Sequence, residues 1–71
     1  MQYTIILEKT DDGYSAYPPD LPGCIAAGDN RDETVRLMRE AIEFHLEGMR
    51  LQGEAIPPPT TVAELVEVGS P

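Results

Sequence analysis

The chain has 71 residues, one cysteine, one histidine and a formal net charge of -8. At this length we expect a single domain spanning 1–71 with a small core, to which self-association or a partner adds stability. No stretch reaches the ~20 apolar residues that span a bilayer, and the N-terminus lacks the basic and apolar regions of a signal peptide. One cysteine excludes an internal disulfide, and with one histidine no metal-ligand set is evident. We therefore expect a cytoplasmic protein without membrane contact, metal or cofactor.

The negative charge is concentrated outside the central part of the chain. Four of the five basic residues lie between residues 31 and 51, where five acids nearly balance them, whereas the rest of the chain has one lysine and eight acids. Such a field repels phosphate backbones and speeds encounter with a basic protein, so direct nucleic-acid binding is not expected. On composition alone, solubility is the simpler explanation of the charge.

The first third of the sequence predicts three short strands. Gln2 to Lys9 alternates apolar and polar residues and is rich in β-branched and aromatic types, which is typical of a half-buried strand. The TDDG sequence at 10–13 favours a hairpin turn, with a glycine able to take positive φ. A second strand at 14–17 ends at two prolines, and the PDLPGC corner leads into a third strand at 24–27.

A long helix is predicted from Arg31 to about Leu51. Asn30 and Glu33 have the spacing of a capping box, and Gly53 with the prolines beyond it predicts the C-terminal end. At ~100° per residue, one face of this helix is apolar and should cover the sheet. Its members are Val35, Met38, Ile42, His45, Leu46 and Met49.

A second apolar stripe, Leu37, Phe44 and Leu51, recurs every seven residues on another side of the helix. A helix lying on one sheet cannot easily bury so wide an apolar arc. Two interpretations remain open at this point. The proline segment folds back over the stripe, or the stripe is a partner-binding surface.

The C-terminal part predicts a proline-rich spacer at 57–61 followed by a fourth strand at 62–68, although VAEL suits a helix equally well. The predicted order is β-β-β-α-β, an α+β fold with one helix packed on a mixed sheet. A right-handed crossover places the fourth strand parallel to the first and beside it.

Four segments in this order and spacing resemble the HicB family of antitoxins from toxin-antitoxin pairs. They are YTIILEKTDDGYSAYPPDLPGC, GDNRDE, EAIEFHLEGM, and GEAIPPP with the terminal LVEV. The resemblance implies a partial, degenerate ribonuclease-H-like fold without enzymatic activity. It also implies a role in binding and neutralising a HicA-type toxin, a small basic ribonuclease that cleaves messenger RNA. The alternative is a stand-alone oligomeric member of the same family with no toxin partner.

Many family members continue into a DNA-binding domain, whereas this sequence stops at Pro71, so we expect no direct DNA binding. Catalysis is not expected either, since two-metal chemistry needs acids that converge on one point. The acids here fall at a strand end, in a turn and in a proline corner, and no nucleophile motif accompanies His45.

Two sets of residues are the predicted partner-binding site. The acids Asp11, Asp12 and Asp20 should steer a basic toxin, and the stripe Leu37, Phe44 and Leu51 should supply the lasting contact. A homodimer or higher homo-oligomer is expected as well, because the small monomer leaves apolar surface uncovered.

Overall fold

A computed structural model, which describes residues 1–70, contains a three-stranded antiparallel sheet and one helix. The strands are β1 (Ile6–Lys9), β2 (Tyr14–Tyr17) and β3 (Ala26–Gly28), in the spatial order β1-β2-β3. The helix α1 (Arg31–Leu51) follows and packs on β2 and β3. The α+β class and the order of the first four elements are confirmed.

The β1-β2 hairpin has the predicted turn but a different reason for its glycine. Ile6 pairs with Tyr17, and the Thr10 N–H donates to the Gly13 carbonyl at 2.8 Å. Gly13 does not have positive φ. A Cβ at Gly13 would instead lie 2.1 Å from the Gly28 carbonyl oxygen, so the close approach of β3 excludes a side chain there.

Strand β1 is shorter than the predicted strand because of the prolines that follow β2. Continuing the Ile6–Tyr17 register would set Pro18 opposite Ile5, and proline has no N–H to donate to a ladder. Among the described residues, none forms a backbone-to-backbone hydrogen bond with residues 2–5. These residues therefore lead into the sheet without being part of it.

Strand β3 begins two residues later than predicted, because the proline corner extends into its start. The Leu21 N–H donates to the Pro18 carbonyl at 3.0 Å, and the Cys24 N–H donates to the Leu21 carbonyl at 3.2 Å. Gly23 between them has a φ of 87°, which a residue with a side chain rarely adopts. Pairing of β3 with β2 starts only at Ala26.

Helix α1 has the predicted boundaries, and its ends show why. At the N-terminus, the Asn30 side chain accepts from the Glu33 N–H at 2.8 Å, while the Glu33 carboxylate accepts from the Asp29 N–H at 2.9 Å. The reciprocal bond thus reaches one residue further back than in a capping box.

The part of the chain at 1–70 has no helix with both the length and the apolar character of a membrane span.

The C-terminal end of α1 is a Schellman motif. Gly53 has a φ of 73°, its N–H donates to the Arg50 carbonyl at 3.1 Å, and the Glu54 N–H donates to the Met49 carbonyl at 2.9 Å. This pattern satisfies two of the last helical carbonyls. The predicted glycine stop is confirmed.

The core lies between the sheet and α1. Ala16, Leu21, Cys24 and Met38 are buried, with Met38 at 0% exposure. Partly buried side chains complete it: Tyr3, Ile5, Leu7, Ala26, Ala41, Ile42, Leu46 and Met49. Most of the predicted apolar helix face therefore packs as expected. Thr34 is also fully buried, and its hydroxyl donates to the Asn30 carbonyl at 2.8 Å.

The predicted fourth strand is wrong for this structure, and so is the mixed sheet. Residues 62–70 form no strand and are all exposed, and the sheet is purely antiparallel. The greatest dimension of the chain is 50 Å, which exceeds the ~31 Å that a helix of 21 residues spans. The C-terminal residues therefore extend away from the sheet and the helix. A strand needs a neighbouring backbone, and residues 62–70, here called the tail, do not reach one.

Candidate partner-binding surfaces

The predicted apolar stripe is only partly covered. Phe44 is 84% exposed and Leu51 is 78% exposed, whereas Leu37 is half-buried. The proline segment does not fold over them, since the Pro57 carbonyl accepts a hydrogen bond from the Tyr3 hydroxyl at the edge of the sheet. Of the two interpretations of the stripe, the covering segment is therefore wrong.

A shallow groove of about 400 Å³ lies beside Phe44. Its lining includes Cys24 and Ile25 from the segment before β3 and Ala41, Phe44 and Gly48 from α1. Because Ala41 and Gly48 have little or no side chain, the helix surface next to Phe44 is recessed. We call this recess the Phe44 groove. The Phe44 groove can accommodate an apolar side chain of a partner.

Ile25 is a part of this surface that the sequence did not indicate. It is 69% exposed, although the sequence placed it inside the third strand. The later start of β3 turns it outward. The sequence marks the turn at Gly23 but not the residue at which pairing with β2 begins, which depends on the register between the two strands.

The three predicted acidic residues do not form one cluster. Asp11 and Asp12 are exposed in the turn between β1 and β2, while Asp20 follows the opposite end of β2. The turn acids are free to interact with a basic partner over a distance. Asp20 has a different environment.

Asp20 holds the two residues that directly precede the tail. Its carboxylate accepts hydrogen bonds from the backbone N–H groups of Thr60 and Thr61, each at 3.0 Å, and from their hydroxyls at 3.2 and 2.7 Å. The bond from the Thr61 N–H is the main reason that the pKa of Asp20 lies below its ordinary value, although burial acts in the opposite direction. Asp20 is thus committed to its own chain.

The chemistry of the remaining candidate groups is limited. Cys24 is buried, and burial raises the pKa of its thiol, which keeps it protonated and unreactive at neutral pH. His45 is half-buried in the wall of the Phe44 groove. Across residues 1–70, no three His, Cys, Asp or Glu side chains are grouped so as to hold a metal ion.

A second groove, of about 690 Å³, lies where the N-terminal residues face α1. Tyr3 and Ile5 line one side, and Val35, Ile42 and Leu46 line the other. We call it the N-terminal groove. The sequence predicted that the apolar face of the helix covers the sheet, and the groove shows that this cover is open at the N-terminal residues.

Comparison with known proteins places this architecture in a family. The family model for the HicB-like antitoxin of bacterial toxin-antitoxin systems matches residues 3–69. The chain belongs to this family. A chain of the solved HicA3 and HicB3 toxin-antitoxin complex has the same fold, with a TM-score of 0.73 and 33% identity over 83% of this chain and 70% of that one.

Curated relatives come from a phage, a bacterium and an archaeon. A 14.9 kDa protein from the rep-hol intergenic region of Haemophilus phage HP1 is 41% identical over 66 residues, which are 93% of this chain and half of the phage protein. A UPF0150 protein of Synechocystis is 39% identical over 78% of this chain and 71% of its own length. One from Thermoplasma acidophilum is 38% identical over 80% and 84%.

Proposed function

We propose that this HicB-like antitoxin binds and neutralises a HicA-type toxin, a small basic ribonuclease. The observation that carries the proposal is the match to a chain of a HicA3–HicB3 complex at 33% identity and a TM-score of 0.73. The exposed Phe44 groove is a second, independent support. It gives this small domain an apolar surface that its own chain leaves uncovered.

The proposed contact has an apolar centre and an acidic periphery. Phe44 and Leu51 present large apolar side chains, and the Phe44 groove, which Phe44 and Ile25 help to line, accepts one from the toxin. Leu37 is half-buried and extends the surface along α1. Burial of such anchors dominates the affinity of protein interfaces.

The acids act mainly before contact. Asp11 and Asp12 are exposed, and with the net charge of -8 they attract a basic toxin and accelerate encounter. Asp20 adds to this field, but its hydrogen bonds to Thr60 and Thr61 remain within the chain. Neutralisation follows from covering the RNA-binding surface of the toxin, so the antitoxin supplies no catalytic residue.

The fold and location follow from the same proposal. We propose that the antiparallel sheet and α1 are a reduced ribonuclease-H-like core and that the protein acts in the cytoplasm, where a messenger-RNA-cleaving toxin has its substrate. The absence of enzymatic activity is part of this proposal and is supported by membership in an antitoxin family.

The test is ribonuclease activity of the toxin with increasing amounts of this chain. Stoichiometric chain should suppress cleavage of RNA, and Phe44→Asp should abolish suppression because it places a charge in the apolar contact. Tyr17→Asp is the matched control, since Tyr17 is an aromatic residue that is 42% exposed on the sheet. It should retain suppression.

Circular dichroism must show that both variants are folded. Unimpeded cleavage with the wild-type chain would disprove the antitoxin function. Suppression that survives Phe44→Asp would move the contact to another surface.

The alternative function, an oligomeric binding protein with no toxin partner, is favoured by one observation. The tail exposes four large apolar residues, which is sufficient for self-association without any toxin. They are Val62, Leu65, Val66 and Val68. A chain that self-associates but does not suppress RNA cleavage by the toxin would favour this alternative.

A further inference from the structure

Two segments of this chain have backbone groups that find no backbone partner in the described residues. Residues 2–5 form no backbone-to-backbone hydrogen bond, and neither does the tail at 62–70. The outer edge of β1 is also unpaired, because β1 lies at one end of the sheet. A free strand edge is a template for pairing with another extended segment.

The tail has the composition of a strand. Val62, Val66 and Val68 are β-branched and lie on one side of an extended chain, with Leu65 on the other. Leu65 is 102% exposed, and the three valines are 77 to 80% exposed. So much apolar surface on a short segment is costly in water, which favours a structure that covers it.

The β1 edge has the length and the pocket that the tail requires. Strand β1 itself has four residues. Together with residues 2–5 before it, it spans ~26 Å when extended, against ~23 Å for residues 62–68. The N-terminal groove opens along the first part of this edge, with Ile5, Val35, Ile42 and Leu46 in its lining. A strand added beside β1 would place every second side chain into this apolar space.

The way the tail begins favours a second copy over its own edge. Asp20 holds Thr60 and Thr61 at the end of the sheet, and the Thr4 hydroxyl donates to the Thr61 carbonyl at 2.7 Å. Beyond this anchor the tail is exposed throughout, and the chain reaches 50 Å in length. The tail is thus fixed at its base and leaves the body instead of covering β1.

We propose that two copies of this chain exchange their tails, each tail adding as a fourth strand to the β1 edge of the other copy. One copy supplies both a strand and an edge, so a two-fold arrangement satisfies both reciprocally. The N-terminal groove is thereby completed by valine or leucine side chains of the second copy. This inference concerns the chain alone and does not depend on a toxin.

A proline pair in the tail tests the strand pairing. Successive N–H groups of a strand point to opposite sides, so Leu65→Pro with Val66→Pro removes a donor toward β1 in either register while keeping the segment apolar. We expect the dissociation constant of the dimer, measured by sedimentation equilibrium, to rise at least ~100-fold. The control, Leu65→Ile with Val66→Ile, should remain a dimer.

Both variants should keep the native fold, because the tail does not contribute to the core. Circular dichroism checks this. A wild-type chain that is monomeric at tens of micromolar would overturn the proposal. Equal dimerisation of the proline pair, or loss of the dimer in the isoleucine control, would overturn it as well.

A mixed-label experiment separates a second copy from the same chain. Copies labelled with ¹⁵N and copies labelled with ¹³C are unfolded, mixed and refolded together. Filtered nuclear Overhauser effects between differently labelled copies are then recorded. Exchange predicts such effects between residues 62–68 and residues 2–9. Effects between these segments that appear only within one labelled copy would show a tail folded on its own edge and would overturn the proposal.

Discussion

Asp20 and Thr61, 41 residues apart, are joined by two hydrogen bonds, from the Thr61 N–H at 3.0 Å and the Thr61 hydroxyl at 2.7 Å to the Asp20 carboxylate. With the matching pair from Thr60, four donors converge on one side chain. Four donors satisfy a carboxylate well, whereas an amide has a single acceptor oxygen. The ionised form of Asp20 therefore fixes the residues from which the tail extends.

Asp20→Asn should release this anchor. We expect faster hydrogen exchange of the Thr60 and Thr61 amides with little change in the melting temperature, because Asp20 lies outside the core. Asp29→Asn, at an exposed position, is the control. Unchanged exchange in the Asp20 variant would contradict the role of the carboxylate.

The same anchor should depend on pH. The folded-state pKa of Asp20 is below the ordinary value of 3.8, so its stabilising contribution is complete above that value and is lost as the pH falls through the folded-state pKa. Amide exchange of Thr60 and Thr61 should accelerate only in this acidic range, once the intrinsic pH dependence of exchange is divided out. Such an acceleration between pH 5 and 7 would be inconsistent with Asp20 titration.

Gly13→Ala should destabilise the domain, because the new Cβ would lie 2.1 Å from the Gly28 carbonyl oxygen, a backbone atom that cannot move alone. Overpacking of this kind costs ~1–3 kcal/mol. Urea denaturation measures the free energy of unfolding. Gly69→Ala is the control and should leave stability unchanged, since a Cβ at Gly69 would have no atom within 4 Å.

Gly48→Ala should have the opposite effect on stability. Its Cβ would meet nothing within 4 Å, and alanine is favoured over glycine inside a helix by ~1 kcal/mol. The variant should melt at a higher temperature yet bind the toxin more weakly, because the added methyl group narrows the Phe44 groove. A stabilised variant with undiminished binding would show that the toxin does not use this groove.

Met38→Ala should be among the most damaging single truncations. Met38 is 0% exposed in the core, and truncation of a buried methionine costs ~2–5 kcal/mol out of a total of ~5–15 kcal/mol. Thermal and urea unfolding measure the loss. Leu51→Ala, at a residue that is 78% exposed, should lie within ~0.5 kcal/mol of the wild type.

Removal of the turn acids should slow association with the toxin. Asp11→Asn with Asp12→Asn should lower the association rate and weaken its dependence on salt, while dissociation changes little. The control, Glu40→Gln with Glu43→Gln, removes two acids from a helix whose charges are nearly balanced. Stopped-flow measurements at several salt concentrations compare the association rates of these two double variants with the toxin.

The sequence predicted the elements whose causes are local. The helix limits depend on Asn30, Glu33 and Gly53, all within one turn of its ends, and β2 is bounded by a turn and by Pro18. The starts of β1 and β3 were misplaced because they depend on which residues face each other across the sheet. That pairing arises from the hairpin register, which no single segment encodes.

The candidate site was predicted less completely. The heptad spacing singled out Phe44 and Leu51 as part of a second apolar stripe and left open whether the proline segment covers them. Ile25 was missed because its exposure depends on the later start of β3. Asp20 was assigned to steering because its charge is visible in the sequence. Its contact with Thr60 and Thr61 is not, since residues 40 positions apart have no common pattern.

The connectivity of the sheet also determines the order in which the molecule assembles. Strands β1, β2 and β3 pair with their neighbours in sequence, and α1 follows directly, so the contacts of the body close short loops and should form rapidly. The hydrogen bonds at Asp20 instead close a loop of 41 residues that contains the whole helix. They carry a larger entropic cost, so the base of the tail should dock last in folding and detach first when the protein begins to open.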